Sequence, residues 1–347
     1  MSEPESFDYW DYFLRECERA SAPLYADIIR GVGKDDALKE MASHVKPGQP
    51  KANVLLASVH FLLLRGVEHP LRRLYPNLNG GLRFEDADAF LLFKDFIERH
   101  CDDVAALIAK GVTNTNEVAR CSALHAGFRA VAKESGEPLA LIEIGPSAGL
   151  NMIWDKYCVD YFRDGQRIEV GPADAGLAIH CELRGGKLPP FGPTPAVVSR
   201  VGLELNPVNL NDLYWRDWLR ALVWPDQTER FMRLERAIAI ATSERQDIRA
   251  GDALELLPDA LAEIPEGRPI CVYHTYVVYQ FTKAMREALE AILVTAGLRR
   301  PIWRLSAEGS HVAGDAHLKI RHYHNGVRTE RELALCHPHG TWLEWRE

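Results

Sequence analysis

The sequence predicts an α/β protein: a parallel sheet that ends in an antiparallel hairpin and is preceded by an all-α N-terminal domain. Three stretches carry that expectation. Leu139 to Asn151, LALIEIGPSAGLN, reads as a strand buried on both faces, a glycine turn and a helix start. From Val197 to Ala307, short apolar runs alternate with helical segments, the pattern of parallel strands joined by crossovers. Asn325-Gly326 sits between two further strand-like runs and is a strong hairpin signal. At 347 residues the chain exceeds one typical domain.

From Phe7 to about Glu134, apolar residues recur at three- and four-residue spacings, so this part is expected to be helical. In Phe84 to Cys101, Phe90, Leu91, Phe93, Phe96 and Ile97 form one face, and Asp88, Lys94, Asp95 and Glu98 another. Ala52 to Leu64 is apolar nearly all round, which predicts the central helix of the domain. Asn114 to Asn116 can cap a helix running through Glu117, Arg120, Leu124 and Phe128. A lid over a site and a plain structural domain are equally good readings of this region. Ser135-Gly136-Glu137-Pro138 is a turn, and it divides the chain into a helical domain, 1–135, and an α/β domain, 136–347.

After the glycine turn, Leu150 to Tyr161 is expected to be a helix with Ile153, Trp154 and Tyr157 facing inward. About 163–195 breaks the rhythm with Gly and Pro around the strand-like run Leu177 to Leu183, and predicts an inserted β arm. VVSRVGLEL gives a second strand ending at Glu204, before Asn206-Pro207. Helices around Trp215 to Trp224 and Thr228 to Thr242 follow, then a short strand, Asp247 to Ala250, and a helix through Leu254 and Leu257. Pro269 to Val278 is a β-branched fourth strand, Gln280 to Gly297 an amphipathic helix, and Pro301 to Ala307 a fifth strand. His317 to His324 and Val327 to Cys336 form the hairpin, and Thr341 to Trp345 adds a last strand.

Composition narrows the function classes. A formal net charge of −8 argues against broad attraction to nucleic acid. The longest apolar segment contains Ser58 and His60 and is too short to span a bilayer. The opening MSEPESFDYW is acidic and lacks a secretory pattern, and seven cysteines without a Cys-x-x-Cys pair suit a reducing compartment, so a cytoplasmic location is expected.

The chemistry is expected around the glycine turn. Gly145 and Gly149 bracket Pro146, Ser147 and Ala148, small residues that let a ligand approach the backbone, and Asn151 follows. Carboxylates at strand ends, Glu143, Glu204 and Asp252 with Ala253 beside it, are pure acceptors suited to hydroxyls and amines. In this order the segments resemble the S-adenosylmethionine-dependent methyltransferases, and imply a Rossmann-like methyltransferase-type sheet. That resemblance implies that Glu143, Gly145 and Gly149 meet the methionine part of the cofactor, Glu204 the ribose and Asp252 the adenine amine. Glu169 competes with Glu204, being about 20 residues beyond the loop, the spacing of compact dinucleotide folds. The fourth strand would bring His274, Thr275 and Tyr276 near the methyl group, with His274 the first candidate base and Tyr276 the second. The implied partner is a small-molecule or protein methyl acceptor, with no nucleic acid and no membrane. No metal ligand is assigned.

The wording EIGPSAGLN, WDKY, GLELNPVNL, LRALVWPDQ, GDALELLP and HPHGTWLEW resembles a bacterial family catalogued as domain of unknown function 2332, over most of the chain. Two other classes stay open. A metal-dependent hydrolase would use the terminal histidines His311, His317, His322, His324, His337 and His339 with Asp315. A non-catalytic cofactor-binding protein would keep the fold alone.

Overall fold

The structure is a computed structural model that describes residues 8–81, 88–136, 138–309 and 315–347. Phe7, Phe84, Glu137 and His311, used in the readings above, lie outside the described residues. The chain is mixed α/β and divides into two units, one of Met1–Thr115 with Asn209–Glu235 and one of Asn116–Val208 with Arg236–Glu347.

The first unit is helical: α1 Tyr9–Arg19, α2 Pro23–Val32, α3 Asp36–Ser43, α4 Lys51–Leu64, α5 Ala89–Arg99, α6 Cys101–Lys110 and, from later in the chain, α8 Leu213–Ala221. Aspartates start four of these helices: Asp8, Asp35, Asp88 and Asp212 each accept hydrogen bonds from first-turn amides. α4 is buried along nearly its whole length, as its all-round apolar sequence predicts. The polar exceptions are satisfied: Ser58 Oγ donates to the Val54 carbonyl, and His60 Nδ1 lies 3.0 Å from the Ala221 carbonyl. On α5, Phe93, Phe96 and Ile97 are buried, but Leu91 is 58% exposed and does not belong to that face.

The second unit holds α7 Cys121–Ser135, β1 Leu139–Ile144, β2 Cys158–Arg163, β3 Gln166–Val170, β4 Ala178–Arg184, β5 Val197–Glu204, β6 Ile248–Ala250, α10 Ala253–Glu263, β7 Ile270–Thr275, α11 Lys283–Gly297, β8 Ile302–Gly309, β9 Ala316–His324, β10 Val327–Cys336 and β11 Trp342–Trp345. α9, Thr228–Ala241, runs across the division. The strands form one eleven-stranded sheet, in the order β3-β2-β4-β11-β10-β9-β8-β7-β1-β5-β6. The block β8-β7-β1-β5-β6 is parallel throughout, whereas β8, β9, β10 and β11 pair antiparallel. Asn325 and Gly326, both at positive φ, turn the β9–β10 hairpin. Among the described residues no helix is long and apolar enough to cross a membrane.

The two faces of the parallel block have different covers. α7 lies on one face, where Phe128 meets Tyr273 at 5.0 Å between ring centroids and Gly127 lies against Leu305. α10 and α11 lie on the other, over Ala140, Ile142, Val272 and Ile302. The division therefore falls elsewhere than at 135/136. α7 stays with the sheet because this face needs a cover, and α8 joins the helical unit because Trp218 packs on Phe61 and donates to the Val112 carbonyl.

Two expectations about local structure are corrected. The helix expected over Leu150 to Tyr161 is absent: turns and a 3-10 turn at Trp154–Lys156 lead directly into β2. Cys158–Phe162 instead pairs with Ala178–Glu182 in parallel register, so a ladder formed with distant residues overrides the local helical spacing. The arm thus begins at Cys158 rather than near 163, and it extends the main sheet through the pairing of β4 with β11.

Gly297 ends α11 where it crosses β9, and a Cβ there would come within 2.8 Å of Tyr323 Cβ and 3.1 Å of its backbone. Gly297→Ala should therefore destabilise the sheet unit by roughly 1–3 kcal/mol in denaturant unfolding. Gly186→Ala, where nothing lies within 4 Å, should change it by less than about 0.5 kcal/mol.

Candidate functional site

The carboxyl ends of β7, β1, β5 and β6 lie side by side, so the sheet gathers nearly every site residue expected from sequence along one edge. The β1 loop is built from backbone that only a few residues tolerate: Gly145, Ser147 and Gly149 all have positive φ within five residues. A Cβ on Gly145 would run into Val277, and one on Gly149 into Gln246. Gly202 of β5 leaves room for Pro146 and Met152, whose side chains would lie 2.7 and 2.8 Å from a Cβ there.

The loop amides are largely spent inside the protein. Gly145 N donates to the Leu203 carbonyl, Gly149 N to the Pro146 carbonyl, and Met152 N to the Gly149 carbonyl. Leu150 N donates to Asn116 Oδ1 at 2.9 Å, so Asn116 holds the loop rather than capping a helix. With no helix following, the amide cradle of a helix N-terminus that the sequence suggested here does not form.

Glu204, 8% exposed at the end of β5, accepts Ser147 N on Oε2 at 2.8 Å and Asn206 N on Oε1 at 3.0 Å. Each oxygen keeps a further lone pair. Asp252 follows β6 and caps α10 through Oδ1, which accepts Leu254 N at 2.8 Å; Oδ2 has no hydrogen bond among the described residues. Ala253 is the buried first residue of that helix. The competing Glu169 lies on β3, at the opposite edge of the sheet, with its carboxylate against Arg167. Eight strand spacings put it roughly 38 Å from β1. Glu169 is thereby removed from this site.

Glu143 is fully buried in β1 and accepts the Tyr273 hydroxyl on Oε2 at 2.9 Å. Burial pushes its carboxyl up to about 8, with the Glu204 charge adding to the rise and the Tyr273 bond and Arg120 opposing it. Arg120 stands over the Tyr276 ring at 4.3 Å and donates through Nε to the Pro338 carbonyl at 3.0 Å. Tyr276 itself has φ 56, a strained conformation for an aromatic residue. Its buried hydroxyl has no hydrogen-bond partner among the described residues. The same holds for Asn151 Nδ2, although Asn151 Oδ1 receives the Cys121 thiol at 3.3 Å, and for Gln246 Oε1 beside Gly149.

His274 is placed differently from the expectation. Neighbouring strand residues face opposite ways, so Glu143 and Tyr273 point to the α7 face while His274 points to the α11 face with Arg304. Arg304 Nε donates to His274 Nε2 at 3.0 Å, which leaves Nδ1 to donate to Glu308 Oε1 at 2.5 Å. Burial and the Arg304 charge hold the imidazole below its ordinary pKa. Both nitrogens are engaged, so His274 is no proton acceptor in this arrangement. Burial would raise the Glu308 carboxyl, but His274 and the amides of Val277 and Val278 outweigh it and hold it low.

The terminal histidines are not brought together as a metal set among the described residues. Among the described residues the metal-compatible group of three donors is Cys158, Asp160 and Glu169, and Arg167 already occupies both carboxylates. Arg120, Asn116, Tyr273 and Gln246 were missed from sequence. Only Tyr273, next to His274 in an apolar strand, carried a local signal.

A family model described as an uncharacterized protein conserved in bacteria (DUF2332) matches residues 11–345. No curated protein and no solved structure matches the chain.

The buried Glu143 gives a pH dependence with a definite sign. The unfolded chain releases this proton near the ordinary 4.5, while the folded chain holds it to about 8. The stability this group contributes is therefore full below pH 4.5 and lost as the pH rises through 8. Glu143→Gln, which keeps an acceptor for Tyr273, should leave stability nearly unchanged at pH 4.5 and raise it by roughly 2–4 kcal/mol at pH 8.5, read by denaturant unfolding.

Proposed function

We propose, for a chain that belongs to the bacterial DUF2332 family, that it binds S-adenosylmethionine across the carboxyl ends of β1, β5 and β6 and presents the methyl group to a small-molecule or protein acceptor. One observation carries this reading: three acidic residues, Glu143, Glu204 and Asp252, lie at or just past the carboxyl ends of three adjacent parallel strands. In chain order of the parallel strands, β6-β5-β1-β7-β8 is third, second, first, fourth, fifth. An open sheet wound this way leaves a crevice outside the carboxyl ends of the first and fourth strands, where ligands bind. Gly145 and Tyr276 follow directly on those two strands.

The donor set fits the cofactor. Glu204 is held rigid by two amides and retains a lone pair on each oxygen, which suits two vicinal hydroxyls. Asp252 Oδ2 suits an adenine amine, since Oδ1 alone serves the helix cap. Asn151 Nδ2 and the Tyr276 hydroxyl are buried polar groups with no partner among the described residues, as expected beside a polar ligand. When bound, the cofactor supplies an electrophilic methyl on a sulfonium. The chain's own contribution is alignment: His274 is engaged on the other face, Glu143 holds its proton near neutrality, and Glu204 and Asp252 serve to hold the cofactor. Tyr276, strained and aimed by Arg120, remains the residue suited to orienting an acceptor. The locked His274 also favours a second reading, a binding protein of the same cofactor with no transfer step.

The test is the thermal unfolding midpoint with and without saturating S-adenosylmethionine or S-adenosylhomocysteine. A ligand at a hundred times its Kd adds about 2.7 kcal/mol, so the midpoint should rise by several degrees. Asp252→Asn keeps an N-cap while removing the carboxylate, and Glu204→Gln weakens the ribose site; both should lose most of the shift. A wild-type protein, freed of bound ligand, that shows no shift rules out the cofactor assignment.

A further inference from the structure

On the α11 face, the apolar cover of the sheet gives way to charge. The first turns of α11 and the strands β8, β9 and β10 border an open cavity of about 780 Å³, within the range of metabolite sites. Six cationic side chains line it: Lys283, Arg286, Arg304, Lys319, Arg321 and Arg328. Only three carboxylates do, Glu287, Glu290 and Glu308, in a chain whose net charge is −8.

Those carboxylates are already shared. Glu308 is taken by His274 and by the amides of Val277, Val278 and Tyr279. Glu290 serves Arg328 at 2.9 Å, Arg304 at 3.5 Å and the Tyr323 hydroxyl at 3.1 Å. Glu330 of β10 divides itself between Arg321 and Lys319. Lys283 meets Glu287 only at 3.8 Å with both side chains exposed, and Arg286 makes no ion pair among the described residues.

Two placements here oppose local stability. Arg304 stands directly opposite Arg321 in the β8–β9 register, where like charges repel. Lys283 and Arg286 occupy the first turn of α11, whose positive end disfavours cations, and that turn carries no acidic residue. Both become favourable once a multiply charged anion sits between the strands and the helix. Ser306, opposite Lys319 on the cavity wall, adds a hydroxyl donor.

We infer that this cavity is a binding site for a phosphate-bearing small molecule of at least two negative charges, held between Arg286 and Lys283 on α11 and the Arg304, Lys319 and Arg321 row on the sheet. Arg304, 4% exposed and oriented by His274, is the fixed donor at its floor, and the α11 cations close over it. The site depends on no step of the cofactor reading.

Isothermal titration of the full chain with inorganic pyrophosphate at low salt tests it. Wild type should bind, Lys283→Ala with Arg286→Ala should weaken binding at least ~tenfold, and Lys133→Ala, on α7 at the opposite face, should leave it within ~twofold. The ligand-free double variant should unfold at or above the wild-type midpoint, because two cations leave a helix start. No binding at millimolar pyrophosphate overturns the proposal. So does a double variant of wild-type affinity, one whose ligand-free midpoint falls by several degrees, or a short oligonucleotide that binds more tightly than pyrophosphate.

Discussion

Burying β1 on both faces constrains everything around it. All six residues of Leu139–Ile144 are buried, and the strand is hydrogen-bonded to β5 on one side and β7 on the other. Such a strand has no water to satisfy a polar group, so Glu143 needs a partner within the sheet. The Tyr273 hydroxyl supplies it, from the residue directly paired in register. The chain that leaves β1 must then turn sharply over the neighbouring strands. Three positive-φ residues make that turn, and the Glu204 carboxylate fastens it to β5 through the Ser147 amide. Loop geometry and the acid at the end of β5 are in this sense one device.

The sheet also separates two chemistries. Its α7 face holds Glu143, Tyr273, Cys121 and Asn151, a buried set whose carboxyl retains its proton near neutrality and whose thiol is pushed up by burial. Its α11 face holds Arg304, His274 and Glu308, where the imidazole bridges a guanidinium and a carboxylate and stays neutral. Adjacent residues of β7, Tyr273 and His274, supply one group to each. A histidine next to a tyrosine at a strand end looks like a single site on paper, yet strand alternation sends the two to opposite sides. The floor of the cationic cavity is thus set by the same strand that lines the crevice.

The arm changes what the sheet is. β2, β3 and β4 do not stand apart as an insertion, because β4 pairs with β11 and β11 with β10, which carries the ladder across to β8. The last strand of the chain therefore joins the arm to the parallel block. Pro338 and Gly340, just before β11, meet Arg120 and Ser122, so the C-terminal segment also steadies the start of α7 and the cation above Tyr276.

The sequence alone determined the parallel strands, their order in the chain, the Asn325-Gly326 hairpin, the buried α4 and the acids at three strand ends. These follow from short-range signals: apolar runs, glycine and proline punctuation, and the all-round hydrophobicity of one helix. Tertiary structure decided the rest. Whether Leu150 to Tyr161 formed a helix or fed a strand from Cys158 depended on a ladder partner near 180, which local spacing cannot reveal. α7 and α8 went to the units opposite to those drawn from sequence, because which face a helix covers is set by side chains such as Phe128 and Trp218 finding partners far along the chain. Placing Glu169 far across the sheet from Glu204 required the strand order, and withdrawing His274 required its partners Arg304 and Glu308, some thirty residues away. Local propensity specifies elements; the partners that satisfy a buried charge or a strand edge are non-local, and only the folded chain brings them together.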